Sequence, residues 1–330
     1  MNSFGKLFRI EIFGESHGDA VGILIDGIPA GIELSPDDFT TDLERRKGGV
    51  QKGTTPRQEE DKPFIKTGIF NGKTTGAPLL ILFENKNTRS TDYEKIRATP
   101  RPGHADFVAH EKFGGFEDYR GSGHFSGRLT VALVAAGVIA KKMLGAVNVT
   151  ASIVEIGGEK NIEQGLDKAI AKKDSIGGIV ECKATNLPVG LGEPFFDSVE
   201  SVIAHLVFAV PAIRGIEFGT GFAAAKMFGA DHNDSIVNKA GQTTTNHSGG
   251  IVGGITNGNE LVYRVAVKPT SSTPATQHSL NFETNQVEEF SVKGRHDLCI
   301  ALRVPVIIEA VTAIALADLL LQEQKIKRVF

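Results

Sequence analysis

Apolar and polar positions alternate from Lys6 to Phe13, with Phe8, Ile10 and Ile12 on one face and Arg9 and Glu11 on the other. A period of two predicts a half-buried strand. Ala20 to Ile25 continues as a second strand, and Gly14 to Gly18 forms the connection. Pro78 to Phe83 is a continuous apolar run of strand length, and Gly178–Lys183, Ile213–Phe218 and Leu261–Val267 also read as strands. Ser35-Pro36-Asp37-Asp38 opens a helix, with serine as N-cap, proline at the first position and acids in the first turn. Phe39 and Leu43 share one face of it, and it ends near Arg46, before Gly48-Gly49.

Two segments are apolar on nearly every side, Thr130 to Leu144 and Val304 to Leu321. A helix without a polar face is a buried helix, so the pair predicts a helical layer covered on both sides. A third helix starts at Asp197 or Ser198, turns Val199, Val202, Ile203, Leu206 and Val210 to the core, and stops at Pro211. Ser126-Gly127-Arg128 precedes the first buried helix and Lys293-Gly294-Arg295 the second, which hints at duplicated halves, 1–150 and 151–330. No linker rich in Pro, Ser or charge separates them, so one integrated domain over 1–330 is the expectation.

Composition narrows the class. The 330 residues carry 36 Lys+Arg against 39 Asp+Glu, a net charge of −3. That balance excludes a polyelectrolyte partner for nucleic acid or membrane, and any basic site is local. The sparse aromatics, three Tyr and no Trp, also count against nucleic-acid stacking. The long apolar segment contains Pro305, Glu309 and Asp318, which argues against a membrane span. Cys182 and Cys299 lack metal-ligand spacing and read as buried thiols in a reducing compartment. With no signal-peptide pattern, a cytoplasmic location is expected.

The candidate chemistry lies in glycine-bearing loops. Gly14-Glu15-Ser16-His17-Gly18 and Arg101-Pro102-Gly103-His104-Ala105-Asp106 each present one histidine. A lone loop histidine is more often bonded to backbone than catalytic, and Asp106 could cap the segment after it. Two of them among many cations suit proton transfer on an anionic substrate at a solvent-accessible cleft. Arg45 and Arg46 could simply complement a helix C-terminus. Lys52, Arg57, Arg101, Arg120 and Arg128, however, all fall in the same glycine-rich portion. Arginine matches phosphate and carboxylate as a planar fork, so a small polyanion is the natural guest.

The run from Asn246 to Gly258 is either a pair of tight turns about a short strand or a set of backbone donors for phosphate. It matches neither a Walker A loop nor a dinucleotide fingerprint. Lys268-Pro269-Thr270-Ser271-Ser272 offers a cation and three hydroxyls, a phosphate clamp. Gly294-Arg295-His296-Asp297 sets a carboxylate beside two cations. Asp231-His232-Asn233-Asp234 reads as a polar turn, and no metal site is expected.

These motifs resemble the chorismate synthase family nearly end to end. FGESHG spans 13–18, DGIPAG 26–31, LERR 43–46 and TTGAP 74–78. RPGHAD, DSIGG, GIEFGTGF, NHSGGIVGGITNG, KPTSS and GRHDLC come next, in the family's order. The resemblance implies an α+β fold, a β-α-β sandwich with a central helical layer between two antiparallel sheets and pseudo-twofold symmetry. It implies a lyase that makes chorismate and phosphate from 5-enolpyruvylshikimate-3-phosphate by a redox-neutral 1,4-anti elimination with reduced FMN. NADPH would serve indirectly or through an external reductase, and the assembly would be a homotetramer.

By the same resemblance His17 lies near the leaving phosphate, His104 near the flavin as proton donor, and Asp297 where the ring proton is removed. Ser16 and Ser126 support that relay. Arg46, Arg57, Arg101 and Arg128 bind anions, with Lys52 standing where arginine is usual. FMN contacts fall on His124, Phe125, Ser126, Gly253, Lys268, Pro269, Thr270, Ser271, Ser272 and Arg295. Where many members read GGGRSSARET, this chain has His124 for the arginine and Phe125 for a serine. Two other classes compete: a non-catalytic polyanion-binding relative, and a nucleic-acid-binding protein using the arginine loops.

Overall fold

A computed structural model of the chain describes residues 2–49, 52–55, 59–87, 97–292 and 296–324. One antiparallel sheet contains β1 (Ser3–Phe4), β2 (Arg9–Gly14), β3 (Ala20–Asp26), β4 (Phe64–Thr67) and β5 (Leu79–Glu84), in the order β1-β2-β3-β5-β4. A second contains β6 (Asn148–Ile156), β7 (Gly178–Thr185), β8 (Ile213–Phe218) and β9 (Leu261–Val267), in the order β8-β9-β7-β6. The strands obey the period of two. Leu261, Tyr263, Val265 and Val267 point inward from β9, and Val180 and Cys182 oppose Val265 and Tyr263 across the ladder.

Between the sheets lie α3 (Thr130–Met143) and α6 (Val304–Gln322). The first rests on β3 of one sheet and the second on β6 and β7 of the other, so the layered sandwich expected from the two all-apolar helices is the fold observed. Their axes approach closely at Gly137, where a Cβ would overlap Ala310. Each large apolar side chain buried in this seam contributes about 1.5–3 kcal/mol. The shorter helices are α1 (Thr40–Arg46), α2 (Asp106–Phe113), α4 (Ile162–Lys172) and α5 (Val199–Ala209). A 3-10 turn over Pro36–Phe39 leads into α1, and the Ser198 side chain caps α5 through Ser201 N at 3.1 Å.

The segment Ile300–Gln322 is apolar enough to cross a membrane by composition, but 89% of its 18-residue apolar stretch, of mean hydropathy 2.2, is buried inside the protein. Its polar groups explain why. Asp318 accepts the backbone N–H groups of Lys6, Leu7 and Phe8 at 3.0, 2.7 and 2.8 Å. Glu309 accepts both terminal nitrogens of Arg45, Lys141 Nζ and Ala151 N. Burial alone would raise the Glu309 carboxyl, but these donors hold it below its ordinary value. The grip of Asp318 also corrects the first predicted strand. The backbone N–H groups of Lys6, Leu7 and Phe8 turn to this carboxylate, so the strand proper begins at Arg9.

Both cysteines are buried thiols. Burial pushes Cys182 up to about 12 and Cys299 to about 11.

Candidate active site

A cavity of about 780 Å³ opens where the C-terminus of α1 meets the first turns of α3 and α6. The loop before α2, the turn from α5 to β8 and the segment 268–272 complete its wall. The positive ends of two long helix dipoles therefore face it. Its volume lies in the range of small-molecule sites. A neighbouring cavity of about 610 Å³ shares His104, Ala105, Ser122 and Phe125 with it as a common wall.

Among the expected anion binders, Arg46, Arg101 and Arg128 all line the cavity and are buried. Each has a carboxylate partner. Asp61, itself buried, takes Arg46 Nη1 on one oxygen at 3.2 Å and Arg128 Nη1 on the other. Arg46 also donates to Arg128 O at 3.3 Å, and Arg128 Nε to Asn85 Oδ1 at 3.0 Å. Burial lowers the Arg46 guanidinium to about 9, partly offset by Asp61, so it stays charged at neutral pH. Arg101 grips Asp106 through Nε at 2.7 Å and Nη2 at 2.7 Å, and reaches Ser272 Oγ at 3.0 Å and Ser122 Oγ at 2.8 Å. Lys52 does not line the cavity and pairs with exposed Asp167 of α4 at 2.6 Å. Arg57 lies outside the described residues, as does Arg295.

His104 lines the cavity with Nδ1 2.7 Å from Asp106 Oδ1. Arg101 Nη2 lies 3.1 Å from the same nitrogen, but it already donates to Asp106 and Ser122. Nδ1–H to carboxylate is therefore the consistent assignment, leaving Nε2 for the cavity. Burial alone would raise the Asp106 carboxyl, yet the bonds from Arg101 and His104 hold it well below the carboxylate range. Asp106 thus sits in the first turn of α2 as an ion-pair partner, not as its cap.

His17 departs from the expected open cleft. It is buried, as is Ser16, and both lie behind Gly121 rather than on the cavity wall. A Cβ at Gly121 would overlap the His17 ring and come within 2.9 Å of Ser16 Oγ. Gly121, at φ +59°, is thus the thin partition between His17 and the cavity. Ser16 N donates to Gly123 O at 3.1 Å, while Ser16 Oγ is buried without a partner.

Asp297 lines the cavity, with Oδ1 accepting Thr55 N at 2.9 Å and Oδ2 accepting Arg303 Nη1 at 3.1 Å. Ser126 and Phe125 line it too, and Ser126 Oγ accepts Arg128 N at 3.2 Å. His124 also faces it, but both ring nitrogens are engaged, with Gly14 O at 2.9 Å and Asn2 Oδ1 at 3.1 Å. It therefore offers no free nitrogen in place of the missing arginine. Lys268, Thr270, Ser271 and Ser272 line the wall, whereas Pro269 is exposed and packs toward Gly177. Gly253 is not part of this wall within the single chain. Its hairpin, Ile251–Val252 with Ile255–Thr256, is held at the N-terminus of α5, where Val199 N donates to Gly254 O at 2.9 Å. The cavity takes the C-terminus of α5, about 16 Å away at 1.5 Å per residue.

Several lining residues escape a reading of motifs. Asp61 shows no sequence signal, since its partners are 15 and 67 positions away. Arg303 lies in the lead-in turn of an apolar helix, and Arg214 inside a predicted strand. Among the described residues no cluster of His, Cys, Asp and Glu could hold a metal. Asp234 is instead a turn anchor, bonded to Thr245 Oγ1, His247 N and Ser248 N.

The family model described as chorismate synthase matches residues 8–321. A chorismate synthase of Chitinophaga pinensis is 70% identical over all of this chain and 99% of its own length. One of Dehalococcoides mccartyi is 45% identical over 99% of each. A crystal structure of chorismate synthase superposes with a TM-score of 0.73 at 26% identity, covering 97% of this chain and 93% of that one. With its sandwich, its arginine-lined cavity and these relatives, the chain belongs to the chorismate synthase family, the flavin-dependent carbon–oxygen lyases that complete the shikimate pathway by forming chorismate from 5-enolpyruvylshikimate-3-phosphate.

Proposed function

We propose that the 780 Å³ cavity is where phosphate elimination takes place, with reduced FMN as the flavin and His104 and Asp297 as the acid/base groups. The observation that carries this reading is a set of buried polar atoms left without partners around one cavity. Thr270 Oγ1 and Arg46 Nε belong to its lining, and Ser16 Oγ lies just behind it. Buried polar groups are nearly always bonded, and three of the seven unbonded atoms among the described residues lie here, where a polar ligand would serve them.

The residues fit a flavin mononucleotide. Lys268 and the hydroxyls of Thr270, Ser271 and Ser272 suit a phosphate, while Val108, Phe125, Ile300 and Ile307 offer apolar surface to a ring. Reduced FMN would supply electron density to the breaking C–O bond and recover it, which keeps the reaction redox-neutral. The chain's own groups handle the protons. With Nδ1 engaged by Asp106, His104 can exchange a proton at the cavity through Nε2 alone. Asp297 is fixed at both oxygens by Thr55 and Arg303, and each oxygen keeps a lone pair for the ring proton. Ser16 and His17 act as positioning residues beneath Gly121–Gly123. Ser126 holds Arg128 at the start of α3, beside the anion.

The homotetramer implied by the resemblance would cover exposed Phe195, Phe196, Phe222 and Phe228, which are 81–93% accessible in the single chain. NADPH acts in this reading through an external reductase.

An anaerobic assay of phosphate release with reduced FMN tests the assignment. His104→Ala and Asp297→Asn should each lower turnover about a hundredfold or more while flavin still binds. Folded variants with near-wild-type rates would remove both residues from the chemistry.

A further inference from the structure

The described arginines expected to attract an anion already have a carboxylate partner, shared in the case of Arg46 and Arg128. Asp61 serves Arg46 and Arg128, and Asp106 serves Arg101. Arg303 has Asp297, and Lys47 at the rim has Glu44. Two cations on the wall differ from these. Lys268 Nζ meets neutral acceptors only, Ser271 Oγ at 2.7 Å and Pro269 O at 3.3 Å. Arg214 has no hydrogen-bond or ion-pair partner among the described residues.

Backbone geometry brings the two together. In the pairing of β8 with β9, Ile213 opposes Val267 and Gly215 opposes Ala266, so Arg214 is the extra residue of a bulge. A bulge re-aims a side chain out of the regular alternation. Lys268 follows Val267 directly, and its backbone N–H donates to Ala212 O at 2.9 Å. Both side chains consequently reach the same stretch of wall, beside Thr270, Ser271 and Ser272. Burial and then the Arg214 charge lower the Lys268 ammonium, as expected for like charges with no carboxylate between them. The buried, unpartnered Thr270 Oγ1 completes a set made only of cations and hydroxyls.

We infer that Arg214 is a ligand-binding residue of this enzyme, a second cation beside Lys268 for a phosphate monoester bound at the 268–272 wall. The inference rests on the reading of the cavity as the site of elimination, where both the flavin and the substrate carry such a group. A dianion between the two cations removes their repulsion and supplies acceptors to the hydroxyls.

Arg214 is exposed, so Arg214→Gln should keep the fold, which thermal unfolding checks. FMN and riboflavin are titrated by flavin fluorescence. The substrate and its dephosphorylated form are titrated by calorimetry. The expected result is a loss of about tenfold or more in affinity for one phosphorylated ligand, with its phosphate-free counterpart unchanged. A loss confined to FMN assigns the flavin phosphate, and a loss confined to the substrate assigns the leaving phosphate. Lys268→Gln should weaken the same ligand, and Arg214→Lys should restore part of the affinity. Affinities within about twofold of wild type for both phosphorylated ligands overturn the inference. So does an equal loss for the phosphate-free counterparts. Wild-type protein that bound none of the four would instead overturn the reading of the cavity, and this inference with it.

Discussion

Asp61→Asn isolates one charge at the centre of the site. Asp61 joins two arginines while only 1% of its side chain is accessible, and those of Arg46 and Arg128 are 3% and 4% accessible. Its backbone is left-handed at φ +52°, a conformation that Asp and Asn share most readily among residues with a Cβ. The substitution therefore changes charge and leaves backbone strain as it was. An amide can accept from one guanidinium but turns its NH₂ toward the other, so one buried cation loses its partner. Breaking a buried pair from one side costs about 3–5 kcal/mol. With an unfolding entropy of about 0.7 kcal/mol/K for a chain of this length, the melting temperature should fall by about 4–7 °C. The unpaired guanidinium should also take up anions. Added inorganic phosphate should raise the melting temperature of the variant more than that of wild type. Thermal unfolding with and without phosphate measures both. A variant that melts within about 1 °C of wild type and responds equally to phosphate would refute the shared-carboxylate reasoning.

Gly121→Ala should lower turnover about a hundredfold by pushing His17 and Ser16 off the partition, since small misplacements cost that much. Steady-state kinetics on the folded variant would contradict this by giving a wild-type kcat. Lys52→Ala should leave KM and kcat within about twofold of wild type, because Lys52 pairs with exposed Asp167 outside the cavity; a large rise in KM would place it at the substrate. Asp234→Asn should destabilise the 245–248 turn at neutral pH. Burial would raise the Asp234 carboxyl from its ordinary 3.8, but Thr245, Ser248 and His247 donate to it and hold it at about 2. A depressed carboxyl contributes stability that is present above its unfolded value and lost as pH falls through the folded one. The difference between wild type and variant in urea unfolding should thus be constant above about pH 4 and shrink between pH 4 and 2. A difference that persists at pH 2 would locate the stabilisation elsewhere.

The candidate site was legible in part. His104, Asp297, Ser126, Phe125, Arg46, Arg101, Arg128 and the segment 268–272 were named from loop motifs and from the family resemblance, and one cavity gathers them, Pro269 apart. What those motifs could not convey is charge balance. Arg46 and Arg128 read as free cations because Asp61 is distant in sequence and has no motif of its own. The pairing of Lys52 with Asp167, 115 positions away, was equally hidden. Arg214 was hidden in an apolar strand, since a bulge is a property of pairing and not of composition.

The sequence by itself determined the local elements and the layers they imply. The period-two strands, the Ser198 cap and the two helices without a polar face each arise from interactions within a few residues, and such helices have nowhere to go but between covers. Tertiary structure decided what depends on distant contacts. Asp318, 310 positions away, bends Phe8 out of its strand. The hairpin at Gly253 is fastened to the N-terminus of α5, whereas the cavity takes the other end of that helix. Two glycine-loop histidines that look alike in sequence part company, His104 on the wall and His17 behind it. The physical reason is range: backbone propensity and side-chain periodicity act over one or two turns, whereas burial, ion pairing and the shape of a cavity are set by whichever segments the packed core brings together.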